Sequence, residues 1–269
     1  MKICGLSLRE THFADFQAKA NRHKAFEVIY ENFLFTEGER RDLLRDLSRG
    51  QFVHLHGVST NIGSSDELNL EKIKNLRKLA EETNARLLSD HLCFTRIDGK
   101  STYELLPLPR THAMVDHIGQ RLQTLRDHLG QDFLLENVSS YFSYDINEMS
   151  EAEFMAELHE KYKARFLLDA NNLFVNAQNF SFSVAEELRK LSPEMIGAYH
   201  LGGFEDFGSF LFDTHGAEVS APVWQVFREC LQLFGARPVF LERDENIPDS
   251  LADLEKELDR AHQLLMEAP

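Results

Sequence analysis

The chain has few cysteines and no long apolar run, and each shortage excludes a class of protein. Cys4, Cys93 and Cys230 are widely spaced and form no Cys-x-x-Cys pair. This pattern argues against a disulfide framework and against a structural zinc site. No stretch reaches the roughly 18 apolar residues of a transmembrane helix, and no charged region followed by an apolar one opens the chain. We therefore expect a cytoplasmic protein without a membrane partner.

Basic residues are also scarce. Lys and Arg total 29 against 44 Asp and Glu, which gives a formal net charge of -15. Such a chain is repelled by a nucleic-acid backbone and by an anionic membrane surface. Metal ions or a cationic substrate fit this charge better, so we expect no nucleic acid among the partners.

Apolar residues, by contrast, are plentiful, at 43% of 269 positions with 21 Phe. Short apolar runs predict strands at residues 3–8, 26–30, 52–56, 86–91, 133–137, 165–169, 196–201 and 239–242. Helical periodicity predicts helices at residues 13–23, 37–48, 69–83, 111–129, 151–161, 184–191, 222–235 and 251–266. Residues 92–110, 171–180 and 202–216 are expected to be loops.

Eight strand and helix pairs in strict alternation, with no linker, predict an α/β fold. The expected architecture is a single (β/α)8 barrel over residues 1–269, with parallel strands inside and helices outside. A doubly wound open sheet is the alternative. It normally has fewer strands and a Gly-rich first turn, and Cys4-Gly5-Leu6-Ser7 matches that fingerprint poorly.

Most of the predicted strands end in a side chain that can bind metal, and in a barrel these ends share one mouth. Taken singly, each has an ordinary explanation, such as a hydrogen-bonded histidine or an aspartate that caps a helix. Together, however, these residues lie at the ends of buried strands, where a charged side chain without a partner has a high free-energy cost. The candidates are Glu31, His56, Asp90, His91, Glu136, Asn137, Asp169, Asn172, His200 and Glu242 near strand ends, and Asp213 and His215 from the loop after strand seven.

This convergence predicts a metal site with nitrogen and oxygen ligands only. Such a set suits iron, manganese or zinc and argues against copper and iron–sulfur clusters. There are more candidates than one ion can use, and carboxylates bridge, so two or three ions are expected. Asp90 is better placed to orient the adjacent His91 than to bind metal. Asn137 and Glu31 are assigned similar supporting roles.

Several segments resemble the multinuclear non-haem iron-dependent oxidative enzymes, a family with a member in methanobactin biosynthesis. The matching segments are Leu55-His56-Gly57-Val58, Ser89-Asp90-His91-Leu92-Cys93, Leu105-Leu106-Pro107-Leu108-Pro109, Leu135-Glu136-Asn137-Val138-Ser139-Ser140-Tyr141, Leu168-Asp169-Ala170-Asn171-Asn172, His200-Leu201, Asp213-Thr214-His215-Gly216 and Leu241-Glu242-Arg243-Asp244. They cover nearly the whole chain in the family's order. Ala170 and Arg243 replace residues that are more often Val and Trp, which affects the pocket wall.

The resemblance implies a TIM-type barrel with two or three irons, in mixed valence, at the mouth. By this resemblance, the expected metal ligands are His56, His91, Glu136, Asp169, His200, Asp213, His215 and Glu242. Asn172 stands where some relatives carry a histidine ligand and others an asparagine. Glu136, His91 and Asp169 are the residues that we expect to carry catalysis.

Family members resemble one another in using dioxygen to oxidise a cysteine of a ribosomally made precursor peptide. The resemblance therefore implies such a peptide as substrate. It also implies a small partner protein, or peptide leader recognition by the loops after strands two and seven. One alternative is a metal-dependent sugar isomerase or phosphodiesterase on the same barrel. A second alternative is a metal-binding scaffold without catalytic activity.

Overall fold

Eight parallel strands close into a barrel in this computed structural model, which describes residues 2–18 and 23–268. The strands are β1 Cys4–Ser7, β2 Ala25–Ile29, β3 Phe52–Gly57, β4 Leu87–His91, β5 Phe94–Ile97, β6 Lys100–Leu106, β7 Leu134–Glu136, β8 Arg165–Asp169, β9 Ile196–Leu201, β10 Phe204–Asp206, β11 Leu211–Asp213 and β12 Val239–Leu241. Around the barrel, the order is β1-β12-β9-β8-β7-β4-β3-β2.

Helices surround this barrel. They are α1 Phe13–Ala18, α2 Glu31–Leu34, α3 Glu39–Ser48, α4 Leu70–Thr83, α5 His112–Leu129, α6 Glu151–Tyr162, α7 Ala170–Phe180, α8 Val184–Leu188, α9 Ala221–Phe234 and α10 Ala252–Glu267. The predicted α/β barrel is confirmed, and each of the eight predicted strands is present. The first predicted helix begins at residue 13 as expected, but residues 19–22 lie outside the described residues. Among residues 2–18 and 23–268, no helix combines the length and apolar composition needed to cross a bilayer.

The prediction of three plain loops was wrong. Residues 171–180 form α7, because Asp169 caps this helix by accepting the backbone N–H of Asn172 at 2.7 Å. Residues 92–110 contain the antiparallel hairpin β5–β6, and residues 202–216 contain the antiparallel hairpin β10–β11. Both hairpins extend from the end of the barrel where the candidate ligands lie.

Helix α4 illustrates how the outer layer is built. The Asn69 side chain caps its start, and Asn84 ends it in the left-handed conformation with φ 51°. Between them, Ile73, Leu76 and Leu79 are buried at helical spacing. Each such side chain contributes about 1.5 to 3 kcal/mol on burial, so truncating Leu79 to Ala would cost roughly 2 to 5 kcal/mol.

The barrel interior is layered, because alternate residues of a strand point to the same face. Leu134, Leu167 and Ala198 form a small apolar cluster, and each lies two residues before a candidate ligand. On the opposite side of the barrel, the side chains at this depth are polar and fully buried: Glu27 on β2, His54 on β3 and Ser89 on β4. The candidate ligands form the next layer, at the mouth.

Candidate metal centre

Glu136, at the end of β7, lies at the centre of the candidate site. Its Oε2 is 3.2 Å from Nε2 of His56 and 3.5 Å from Nε2 of His91. Its Oε1 is 2.9 Å from Nδ1 of His200. Glu136 is 0% exposed. One buried carboxylate therefore faces three imidazoles that come from three different strands.

Glu242, which follows β12, extends the cluster toward the opposite rim. Its Oε2 is 3.2 Å from Nδ1 of His200 and 3.3 Å from Nδ1 of His215. On its other side, Nε2 of His215 is 3.0 Å from Oδ1 of Asp213 and 3.5 Å from Oδ2 of Asp169. The eight predicted ligands thus form one continuous constellation across the mouth.

The candidate donor atoms fall into overlapping groups, each compact enough to hold an ion. The groups, whose atoms lie within 4.8 Å of one another, are His56, His91 and Glu136; Glu136, Asp169, His200 and Glu242; His215, Glu242 and Asp244; and Glu27, His54 and His56. Glu136 and Glu242 each belong to two groups. Carboxylates in such positions are suited to bridging neighbouring ions.

The donor atoms also fit a metal because several of them lack hydrogen-bond partners. Within residues 2–18 and 23–268, the buried atoms without such a partner include Nε2 of His56, Oε2 of Glu136, Oδ2 of Asp169, Oδ1 of Asn172 and Nε2 of His215. Buried polar atoms are normally satisfied, and exceptions require an explanation. These five belong to predicted ligands; others, such as Nδ1 of His54 and Oε1 of Glu27, lie one layer deeper in the barrel. Imidazole nitrogen and carboxylate oxygen are the donors that first-row divalent ions take.

The electrostatics are dominated by burial and by mutual charge. Burial tends to raise the pKa of Glu136, but the imidazoles of His200, His56 and His91 outweigh it and hold that pKa below its usual value. Burial raises the pKa of Asp169 to about 7. For His91, burial lowers the pKa, but the charges of Glu136 and Asp90 prevail and raise it to about 9. A metal ion would displace protons from these imidazoles.

The family described as the RiPP precursor modification enzymes MbnB/TglH/ChrH matches residues 3–266; RiPPs are ribosomally synthesised and post-translationally modified peptides. The chain belongs to this family. Relatives named UPF0276 protein support the assignment. One from Anaeromyxobacter sp. is 38% identical over 244 residues, covering 91% of this chain and 86% of the relative. Another, from Rhizorhabdus wittichii, is 37% identical over 264 residues, covering 97% and 94%.

Solved structures similar to this MbnB/TglH/ChrH family member share its barrel. A xylose isomerase domain containing protein from Salmonella typhimurium has a TM-score of 0.66 at 15% identity, over 99% of this chain and 98% of that one. The 3-keto-D-glucoside 4-epimerase of E. coli has a TM-score of 0.62 at 14% identity, over 97% and 99%. At this identity, the likeness shows the fold alone.

The carboxylate of Asp90 is engaged by hydrogen bonds from the backbone and from Tyr30. Its Oδ1 accepts the backbone N–H of His91 at 2.7 Å and lies 3.6 Å from Nδ1 of that imidazole. Its Oδ2 accepts three further hydrogen bonds, from Thr60 N at 2.6 Å, Tyr30 Oη at 2.9 Å and Ser59 N at 3.1 Å. Asp90 therefore ties His91 to the loop after β3.

The other two residues predicted to support the site differ in how close they lie to it. The Asn137 side chain accepts the backbone N–H of Asp169 at 2.8 Å and donates to its carbonyl at 3.0 Å, so it clamps one candidate ligand. Glu31 accepts from the backbone N–H groups of Val58 and Ser59 and from Lys72 Nζ. These contacts fix the loop after β3 and involve none of the predicted ligands.

Asp213 enters the site from hairpin β10–β11 and not from a barrel strand. Its Oδ2 accepts a hydrogen bond from Ser139 at 3.1 Å, and its Oδ1 accepts one from Asn171 at 2.9 Å. Its backbone N–H donates to Tyr141 Oη at 3.0 Å. The Tyr141 ring stacks on Phe212 with centroids 4.9 Å apart.

Exposed aromatic side chains continue outward from that stacked pair. We call this group the aromatic platform; it comprises Tyr141, Phe207, Phe210 and Phe212. Phe207, the most exposed, has 57% of its surface accessible. The platform lies beside an opening of about 180 Å³ that is lined by His91, Asn172, Asp213 and His215, among others.

Sequence reasoning missed three buried residues below the ligands and two at the rim. Glu27 and His54 lie in the middle of strands and so escaped a search of strand ends, as did Ser89. His54 precedes His56 by two residues and so shares its face, which is a signal that could have found it. At the rim, Arg9 contacts both Asp244 and Oε1 of Glu242, the latter at 3.2 Å.

Proposed function

We propose that this protein is an iron- and dioxygen-dependent oxidase that modifies cysteine residues of a ribosomally synthesised precursor peptide. The family supplies the substrate class. The observation that carries the metal assignment is Glu136, a fully buried carboxylate between the imidazoles of His56, His91 and His200. Such a set of nitrogen and oxygen donors suits a non-haem iron centre that reacts with dioxygen.

The compact groups of donor atoms support two or three ions. His56, His91 and Glu136 would hold one ion, and Glu136 would share a second with Asp169, His200 and Glu242. Asp213 and His215 would complete the outer side, with the Asn172 amide oxygen beside them. Bound iron would supply the redox chemistry through which dioxygen oxidises the cysteine.

Three of these residues carry the proposed catalysis by shaping the reacting space. Glu136 would hold metal through both of its oxygens, because both face imidazoles. His91 lines the opening and so contacts what enters it. Asp169 is held by the Asn137 clamp, with Oδ2 left free to bind metal.

A peptide substrate is supported by the surface beside the opening. About 180 Å³ accommodates one side chain, not a folded segment, so the rest of a peptide must lie outside. Aromatic side chains are enriched at protein interfaces, and three residues of the aromatic platform, Phe207, Phe210 and Phe212, offer such a contact on the loop after the seventh barrel strand. We propose that the peptide leader binds there and at the loop after the second strand, or is delivered by a small separate partner protein.

We also propose that the enzyme is located in the reducing cytoplasm. Cys4, Cys93 and Cys230 are free thiols, and two of them are buried. Chains without disulfides are typical of reducing compartments.

Metal analysis of protein purified without oxygen tests the proposal. We expect two or three irons per chain, in mixed valence, with a Mössbauer spectrum that changes on exposure to air, and a cysteine peptide that loses its free thiol only when oxygen is present. Zinc or manganese alone, with no response to oxygen, would support the isomerase or phosphodiesterase alternative. Bound iron without turnover of any cysteine peptide would support the scaffold alternative.

A further inference from the structure

We propose that Glu27, His54 and Ser89 form a buried chain of polar contacts that positions two metal-binding histidines, His56 and His200. We call these three residues the polar chain. The inference rests on the proposed function, because it assigns the two histidines to the metal. It concerns residues one layer deeper in the barrel, which would contact the ions only through other side chains.

The distances along the polar chain are short at every link. His200 Nε2 lies 2.6 Å from Glu27 Oε2, and His54 Nδ1 lies 2.6 Å from the same oxygen. His54 Nε2 is 2.7 Å from Ser89 Oγ, which is 2.7 Å from His56 Nδ1. All five residues are at most 1% exposed. Strand register creates this arrangement, since Glu27 pairs with His54 and His56 pairs with Ser89.

Hydrogen-bond chemistry gives the chain a direction. An ionised carboxylate only accepts, so Glu27 receives the N–H of His200 Nε2. The same carboxylate favours a proton on His54 Nδ1, which lies 2.6 Å away in an ion-pair contact. A neutral His54 then has an acceptor at Nε2, and the Ser89 hydroxyl donates to it. The Ser89 oxygen in turn accepts the N–H of His56 Nδ1.

This direction decides which nitrogen each outer histidine offers to the mouth. His200 keeps its proton on Nε2 and presents the lone pair of Nδ1, which lies 2.9 Å from Glu136. His56 keeps its proton on Nδ1 and presents Nε2, 3.2 Å from Glu136. Ligating histidines are oriented in this way by the partner of the other ring nitrogen. The polar chain thus fixes the tautomers of both proposed ligands: the proton is on Nε2 in His200 and on Nδ1 in His56.

The polar chain is better explained as a positioning device than as a metal site or as part of the core. Glu27, His54 and His56 are close enough to hold an ion, but the Ser89 hydroxyl already engages one nitrogen of each histidine. The interior of such a barrel is ordinarily filled by branched apolar side chains. Burying a carboxylate there opposes stability, since apolar residues of similar volume are often as stabilising or more so.

Nitrogen-15 NMR of histidine-labelled, zinc-substituted protein gives the first test, because zinc is diamagnetic. We expect His200 to bind zinc through Nδ1 and retain an N–H at Nε2, while His56 binds through Nε2 and retains an N–H at Nδ1. The reverse tautomer at either histidine would overturn the inference. A wild-type protein that takes up no zinc, iron or manganese would refute the proposed function itself, and the inference with it.

Affinity measurements on variants give the second test. Glu27→Gln and Ser89→Ala should each weaken metal binding roughly 10 to 100-fold in chelator competition, with the number of ions at saturation unchanged. Glu151→Gln, the same chemical change in α6, should leave affinity unchanged. Unchanged affinity in both chain variants would overturn the inference, as would the loss of one whole ion in Glu27→Gln. If Glu27→Gln does not fold, Ser89→Ala and the wild-type spectrum still decide.

Discussion

Replacing Asp90 by Asn would test how the loop after β3 holds His91. The substitution keeps the size of the side chain but converts one accepting oxygen into a donating NH₂. The four bonds at stake come from the backbone of His91, at 2.7 Å, and from Thr60, Ser59 and Tyr30. The single remaining oxygen satisfies the most donors if it takes the position of Oδ2, which now accepts three hydrogen bonds. The NH₂ would then face the His91 backbone N–H.

The expected magnitude follows from that one lost acceptor. A buried N–H left without a partner costs about 1 to 3 kcal/mol of folding free energy. The His91 imidazole keeps its contact with the Gly57 carbonyl at 3.0 Å but loses the carboxylate beside it. Metal affinity should therefore fall roughly 10 to 100-fold without being abolished.

Urea unfolding of the metal-free variant and chelator competition with the loaded one measure the two effects. The matched comparison is His91→Ala, which removes a proposed ligand outright. Metal loss in Asp90→Asn as complete as in His91→Ala would show that Asp90 is itself a ligand. A variant with wild-type stability and wild-type affinity would refute the hydrogen-bond account.

Four further changes address other parts of the molecule. Glu136→Ala should abolish metal binding and any oxidation while leaving the circular dichroism spectrum intact, because the mouth contributes little to core packing. Gly202→Ala places a Cβ 2.2 Å from Cδ2 of His215, so the ring must move and metal content, measured by mass spectrometry, should fall. Phe212→Ala should weaken binding of a cysteine peptide by at least about 1 kcal/mol in fluorescence anisotropy if the aromatic platform contacts it. Burial raises the pKa of Glu151 to about 7, against 4.5 for the free side chain. Since the unfolded chain then ionises first, wild type should lose stability relative to Glu151→Gln between about pH 4.5 and 7 in urea unfolding, with no further loss above.

Each of these has a contrasting result. Full metal occupancy in Glu136→Ala would show that the site has been misplaced, and an unchanged metal content in Gly202→Ala would place His215 outside the coordination sphere. Leu233→Ala, an exposed apolar side chain near the end of α9 and outside the loops proposed to bind peptide, is the control for the peptide measurement, and equal losses in both variants would refute a specific platform. Parallel stability curves for wild type and Glu151→Gln would mean that Glu151 ionises normally in the folded protein.

The barrel and the residues at its mouth were predictable from two features of the strand sequences: an apolar run and a polar residue where the run ends. Parallel strands are buried on both faces and read as apolar runs, and each run here ends abruptly at a polar residue. Glu136 after Leu134-Leu135 and Asp169 after Leu167-Leu168 are clear examples. The geometry of the fold then brings such ends together without further information.

The polar chain was less accessible because polar residues in mid-strand ordinarily indicate a solvated face. Glu27 lies between Phe26 and Val28, which is the alternation of a half-exposed strand. Only the closed barrel shows that this face is the interior. The two-residue spacing of His54 and His56 is the one local hint.

The wrong loop predictions have local causes. Ala170-Asn171-Asn172 looks like loop by composition, yet Asp169 supplies the cap that starts α7. The hairpin β5–β6 turns at Asp98 and Gly99, both with positive φ, which is a turn signal that the length of the stretch obscured.

Because Asp213 lies on hairpin β10–β11, the proposed metal binding and peptide binding would involve the same hairpin. A metal ligand on a barrel strand would not couple them in this way. Tyr141 accepts the backbone N–H of Asp213 and stacks on the ring of the neighbouring Phe212, and both rings form the inner part of the aromatic platform. A peptide docked there would act on the same hairpin that carries the proposed metal ligand Asp213. Coupling between two binding events is reciprocal, so the factor by which peptide raises metal affinity is the factor by which metal raises peptide affinity. If metal and peptide bind as proposed and favour the same position of the hairpin, the metal-depleted protein should bind the peptide more weakly.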